Sequence, residues 1–258
     1  MTDDSQALQQ AAVAQSWRVE RLANWRPPSW LRDEQLVLYG EPLFADVVAG
    51  PLGLALLECP PDWLTRLPRH YLRRNVRFGT LAEARRCTDP TFIKPVLDKC
   101  FQAGVYVSGE ALPAMVAVLP ETTPVLYAEP VQWEIEFRCF VLEHTMAALS
   151  PYLRKGELVQ AEDGSWPASS LETTEAEHYI HSILLDHAVP LPPAVVADIG
   201  RIAGRGWAII EANAASGSGL YGCDPDQVLA VLRRASLKQD AVTANERAWL
   251  RPIPEVSG

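Results

Sequence analysis

From Thr91 onward the chain is cut into short apolar runs with turn residues between them: TFIKP, GVYVSG, TPVLYAEPV, EIEFRCFVL and, much later, WAIIEANA. Strands joined by short turns pair antiparallel, whereas each parallel pair needs a crossover connection, usually a helix. The spacing predicts a largely antiparallel sheet and an α+β class rather than repeated βαβ units. Two helices are expected in the second half, one around 172–186 (ETTEAEHYIHSILLD) and one around 225–235 (PDQVLAVLRRA), where Asp224 is a natural N-cap. The longest apolar stretch, Val47 to Leu57, is broken by Pro51 and two glycines and falls short of the roughly 20 residues that span a bilayer. It reads as buried core.

At 258 residues the chain is long enough for one large domain or two to three small lobes, on a prior of roughly 150 residues per domain. Its 23 Lys and Arg against 32 Asp and Glu leave a net charge of -9. Such a protein repels polyanions and anionic lipid, so neither nucleic acid nor membrane is an expected partner. Five widely spaced cysteines with no C-x-x-C pair fit neither a disulfide framework nor a zinc site and read as reduced thiols in the cytoplasm. The opening MTDDSQALQQ lacks the basic start and apolar core of a secretory signal, so no export is expected. Residues 1–17 and 241–258 read as loose tails. Between them, the proline-extended WRPPSW and a short strand at LVLYG begin a small N-terminal lobe.

Residues 62–86 are locally basic, with Arg66, Arg69, Arg73, Arg74, Arg77, Arg85 and Arg86 against only Asp62 and Glu83. Pro68 suits a first helical turn, which would set Arg69, Arg73 and Arg77 on one helix face. That face is either solvated or a wall for a phosphate or carboxylate.

The groups suited to chemistry lie further on. In WAIIEANAASGSGLYG an apolar strand delivers Glu211 and Asn213 two residues apart, and strand side chains alternate with a period of two, so both project to one side. Their oxygens are hard ligands of the kind magnesium takes beside substrate phosphates, although a turn-stabilising role would look the same. Asp198 in VADIG offers another carboxylate from a neighbouring strand. Gly217, Gly219 and Gly222 let the following backbone turn and present N–H groups, as an ordinary loop would also do; neither a P-loop nor a dinucleotide fingerprint occurs. Lys94 sits inside the apolar TFIKP and needs either a partner, a polar cleft or an outward-facing edge strand, since an unpaired buried ammonium is costly. Lys99 is a second cation near the same loop. In EIEFRCF, Glu134, Glu136 and Arg138 share one face and Ile135, Phe137 and Cys139 the other. None of the five histidines stands in a ligand motif.

The order Lys94, E-x-E-x-R, Asp198, E-x-N, carried by FIKP, TPVLYAEPV, EIEFRCF, VADIG and WAIIEANAASGSGLYG across residues 91–235, resembles an ATP-grasp ligase, and most closely the clade named for two arginines and one lysine. The resemblance implies a nucleotide clamped between two α+β lobes. Residues 89–128 would be the small lobe and 129–240 the large lobe with the metal site, after a small N-terminal lobe (25–88) and between tails at 1–24 and 241–258. It implies that Lys94 contacts the ATP phosphates, with Lys99 near the phosphate-covering loop. The backbone of Glu129 and Val131 would bind adenine and Glu136 the ribose. Arg138 would stabilise the transferring phosphoryl group, and Asp198, Glu211 and Asn213 would hold Mg2+. Arg74 is the candidate for the clade's other arginine, and it and the Ser216-Gly217-Ser218-Gly219 loop are candidates for the substrate site. Where the family has a Gly-rich phosphate-covering loop, PVLDKCFQAGVY contains only Gly104. The implied reaction activates a carboxylate as an acylphosphate and joins it to an amine, with small molecules, peptides or a protein terminus as substrates. The alternatives are a kinase-like phosphotransferase, a regulatory nucleotide-binding module, or an interaction protein without nucleotide chemistry.

Overall fold

The computed structural model describes residues 2–96 and 100–251. Its strands form three sheets, and every pairing is antiparallel, as the short-turn pattern predicts. The N-terminal part contributes helices α1 (Asp3–Ala14) and α2 (Pro42–Ala49) and strand β1 (Leu54–Leu56). Then come α3 (Arg69–Leu72), β2 (Val76–Thr80), α4 (Leu81–Arg85), β3 (Thr91–Pro95), β4 (Gly104–Tyr106) and β5 (Pro124–Ala128). The second half holds β6 (Trp133–Leu142), β7 (Thr145–Arg154), β8 (Glu157–Leu158), α5 (Ser170–Leu185), β9 (Ala194–Ile202), β10 (Gly206–Asn213), α6 (Pro225–Ala235) and β11 (Ser236–Lys238).

Strands in the order β2-β5-β3-β4 make one sheet and β10-β9-β6-β7-β8 the other large one; β1 and β11 form a two-stranded ribbon that joins the N-terminal part to the segment after α6. From Ile135 onward β6 keeps the predicted alternation: Ile135, Phe137 and Cys139 enter a core with Ile180 and Ile183 of α5. Glu134, expected on the face of Glu136 and Arg138, instead pairs with Arg201, which lies opposite Ile135 and also binds Glu175 of α5, past an irregularity between Trp133 and Ile135. The opposite face changes character along its length. Phe140 and Val196 are buried with Val228 and Leu232 of α6, whereas Glu136, Arg138 and Asp198 lie further along the same face. A polar patch thus starts where the apolar cover of α6 stops. The cap predicted from sequence is present, Asp224 accepting from the Asp226 N–H; α5 starts two residues before the expected 172, at a capping box of Ser169 with Glu172.

Several expectations are corrected. The amphipathic run at the N-terminus is no loose tail: Leu8 and Ala12 of α1 are buried in the α6 core, and the Asp4 carboxylate accepts the Leu220 N–H at 3.0 Å. Near the other end Leu250 bridges Leu57. LVLYG forms no strand, because its N–H groups turn elsewhere, Leu38 to the Ser236 hydroxyl and Gly40 to the Ser216 carbonyl. The arginine-faced helix also fails. Helix α3 ends after one turn with Arg73 in the left-handed region at φ 50, and Arg77 belongs to β2, so no common face exists. No helix among the described residues is long and apolar enough to cross a membrane, and all five cysteines are free.

Candidate functional site

The polar patch is assembled by strand register. Arg138 on β6 lies directly opposite Asp198 on β9, and Asp198 lies opposite Glu211 on β10. Residues facing each other across a ladder share a face, so three strands deliver three charged groups to one place. Arg138 clasps Asp198 through Nε to Oδ1 at 2.9 Å and Nη2 to Oδ2 at 2.8 Å. Lys94, arriving from β3 of the other sheet, donates to Glu211 Oε2 at 2.5 Å. Asn213 joins the two carboxylates, its Nδ2 donating to Asp198 Oδ2 at 3.2 Å and Glu211 Oε1 at 3.0 Å. The lysine inside the apolar TFIKP run is therefore paired rather than solvated, while Ile93 beside it is fully buried.

The charges are held under tension by burial. Arg138 is 7% exposed and Asp198 fully buried. Burial opposes the Arg138 charge, but the Asp198 carboxylate prevails and holds the guanidinium protonated. Burial alone would raise the Glu211 carboxyl; Lys94 and the hydrogen bonds outweigh it and hold Glu211 below its ordinary value. Glu136, two residues before Arg138, is pushed up to about 7, first by burial and then by the charges of Asp198 and Glu211, against a hydrogen bond from the Tyr152 hydroxyl.

Two aromatic groups escaped the sequence reading. Tyr152 and Tyr221 stack with centroids 5.0 Å apart, and the Arg138 guanidinium lies 5.4 and 4.7 Å from their ring centres. The signal for Tyr152 was its position on a strand face, hidden because TMAALSPYLR shows no alternation. Tyr221 sits inside ASGSGLYG with φ 49, next to Gly222 at φ 82. Two consecutive left-handed residues, one of them bulky, mark a backbone held in an unfavourable region. The same loop is pinned by Arg138, whose Nη1 donates to the Gly219 carbonyl at 3.0 Å.

Beside this cluster lies a cavity of about 280 Å³ lined by Arg138, Glu211 and Asn213, by Ser216, Gly217, Ser218 and Gly219 of the loop, and by Glu58 and Arg251. Glu58 and Arg251 carried no sequence signal. Arg251 binds Asp46 by Nε at 2.5 Å and Nη2 at 3.0 Å, and Glu58 Oε2 by Nη1 at 2.8 Å, which leaves Glu58 Oε1 without a hydrogen bond among the described residues. Arg74 does not line the cavity; its guanidinium donates to the carbonyls of Ile209 and Ile210 at 2.7 and 3.0 Å.

The segment from Glu129 to Val131 connects β5 to β6, and so the two large sheets. The Glu129 N–H is spent on the Asn75 carbonyl at 2.9 Å and its carboxylate on Arg205 at 2.6 Å. Its carbonyl and the Val131 N–H have no hydrogen bond among the described residues. Lys99 falls outside the described residues. Among the described residues no group of three His, Cys, Asp or Glu side chains is placed to hold a metal ion; the cluster here is two carboxylates and an amide.

The model of the ATP-grasp domain for the second family of the clade named for two arginines and one lysine matches residues 71–231, more than half of the chain. The chain belongs to this family. The ATP-grasp fold is equally visible in solved structures. The RimK domain protein ATP-grasp from Sphaerobacter thermophilus DSM 20745 shares 14% identity over 90% of this chain and 95% of its own, with a TM-score of 0.50. D-alanine–D-alanine ligase from Bacillus anthracis shares 9% over 91% and 94%, with a TM-score of 0.55. The D-cycloserine synthetase DcsG shares 16% over 90% and 94%, with a TM-score of 0.53. At these identities the likeness is one of fold alone. No curated protein matches the chain in sequence. The family match starts at Tyr71 and ends at Val231, so it takes in Arg74, Lys94, Arg138, Asp198, Glu211 and Asn213 but not Glu58 or Arg251.

Proposed function

We propose that this ATP-grasp protein is an ATP- and magnesium-dependent ligase that activates a carboxylate as an acylphosphate and joins it to an amine. The observation that carries the reading is the convergence of Lys94 and Arg138 on Glu211 and Asp198 at the edge of a cavity. The donor set fits the group it would hold. Asp198 and Glu211 bring hard carboxylate oxygens within reach of one amide, Asn213, which faces both through its Nδ2 and would turn to offer its oxygen to a metal. Magnesium bound there supplies neutralisation of phosphate charge.

In this reading Lys94 exchanges Glu211 for a phosphate oxygen, freeing a carboxylate for the metal. Arg138 stays anchored by Asp198 and the Gly219 carbonyl, so its charge is fixed in place before reaction; a preorganised cation costs no reorganisation when negative charge develops. The free Glu129 carbonyl and Val131 N–H match the donor and acceptor pattern of an adenine edge. The Glu136 carboxylate, already bonded to Tyr152, faces the same side and serves the ribose. The Ser216–Gly219 loop, Glu58 and Arg251 enclose the substrate space, holding the reacting carboxylate and amine close together. At about 280 Å³ the cavity sits just below the roughly 300–1,000 Å³ of drug-sized ligand sites, which favours compact substrates or the tip of a chain.

The test is hydroxylamine trapping. With Mg-ATP and a pool of small carboxylic acids, the protein is expected to form a hydroxamate and release ADP in step, because hydroxylamine intercepts an acylphosphate. ADP release with a stable phosphorylated product and no hydroxamate would assign a phosphotransferase instead.

A further inference from the structure

The side of β10 on which Glu211 and Asn213 emerge is decided by one extra residue. Along β9 and β10, Ile209 lies opposite Ile199, yet the next pair is Glu211 with Asp198, so Ile210 has no partner of its own. This is a β-bulge, two residues facing one. In an unbroken ladder Ile210 would face Asp198, Glu211 would face Ala197 and Asn213 would face Val195. Ala197 and Val195 belong to the apolar core against α5. A one-residue slip flips every side chain to the other face, so without the bulge both oxygen-bearing groups would point into hydrocarbon.

Arg74 holds that bulge. Its Nη1 and Nη2 donate to the Ile209 and Ile210 carbonyls at 2.7 and 3.0 Å, and Nη1 also reaches the Leu72 carbonyl at 3.1 Å. Successive carbonyls of a regular strand point to opposite edges, so one planar fork meets two in a row only where the strand is bulged. β10 is an edge strand, with its outer side open to such a grip. The guanidinium is backed by the Trp133 ring, 5.0 Å away. Gly200 makes room for that ring: a Cβ there would come within 2.8 Å of Trp133 and 3.0 Å of Ile210.

We propose that Arg74 is the positioning residue of the metal site: by gripping two consecutive carbonyls it fixes the β10 bulge that turns Glu211 and Asn213 out of the core and toward Asp198. The inference rests on the reading of Glu211 and Asn213 as metal donors, and its two halves are separable by experiment.

Hydrogen exchange over residues 209–213 in the metal-free protein reads the bulge directly. It should speed up strongly in Arg74→Met and by less in Arg74→Lys, which keeps the charge but lacks the fork. The second readout is binding of a non-hydrolysable ATP analogue. Loss of an outer-shell partner typically costs about 10–100-fold in metal affinity, so the magnesium concentration for half-maximal binding should rise by about that factor in Arg74→Met while metal-free analogue affinity stays within about threefold. Should Arg74→Met not fold, Arg74→Lys carries both measurements. Unchanged exchange in a folded variant would overturn the proposal, and so would an equal loss of metal-free affinity, which would make Arg74 a nucleotide contact. Faster exchange together with no magnesium-dependent binding in wild type would overturn the metal reading while leaving Arg74's hold on the strand.

Discussion

Arg138 and Asp198 stand opposite each other on β6 and β9 and are joined by two hydrogen bonds of 2.9 and 2.8 Å, with Asp198 wholly shielded from solvent. Removing one partner of such a pair strands a buried charge, at a cost of about 3–5 kcal/mol. Arg138→Met and Asp198→Asn should each lose that much in urea unfolding, and the double variant should lose clearly less than their sum. Additive losses in this cycle would show that the pair is not coupled.

Glu211 makes the contrasting case. Its partner Lys94 and Glu211 itself are half-buried rather than sealed, so water reaches the pair and softens both the burial cost and the attraction. Glu211→Gln should therefore change unfolding free energy by about 1 kcal/mol or less while removing magnesium-dependent ADP release. Retained turnover at wild-type magnesium levels would take Glu211 out of the proposed metal site.

For Glu136 the pH dependence has a definite sign. Its carboxyl rises from 4.5 to about 7 on folding, chiefly through burial. Between those values the folded protein keeps a proton that the unfolded chain has released, so stability falls as pH climbs through that window and then levels off. At 1.36 kcal/mol per unit the fall is on the order of 3 kcal/mol. Glu136→Gln should match wild type near pH 4.5 and melt at a higher temperature at pH 8. Parallel melting curves across the range would contradict this account of its burial.

Gly222 tests the loop. With φ at 82 and a hypothetical Cβ only 2.2 Å from Trp166 Cδ1, alanine there is opposed by both backbone and packing. Gly222→Ala should cost about 1–3 kcal/mol and alter Trp166 fluorescence. An unchanged melt would mean that the loop relaxes freely.

What could be read from sequence followed local periodicity. Alternation in EIEFRCF placed Arg138 and Glu136 on one face, and Asp224 marked a helix start, because these patterns depend on neighbours two to four residues away. The pairing of Lys94 with Glu211 joins residues 117 apart, and nothing local records it. The same holds for Arg251 with Glu58, 193 apart. The period of two put Glu211 and Asn213 on a shared side, but the side itself is set by a bulge whose partner strand the sequence does not name. In the basic segment the helical spacing of Arg69, Arg73 and Arg77 misled, since one left-handed residue at Arg73 ends the helix after a turn.

The most direct measurement is calorimetric titration of a non-hydrolysable ATP analogue into wild type and Lys94→Ala, with and without magnesium. Wild type is expected to bind more tightly with magnesium than without it, and Lys94→Ala to lose that binding or weaken at least tenfold. Equal binding by both proteins, or none by wild type at any magnesium concentration, would contradict the nucleotide site proposed around Lys94.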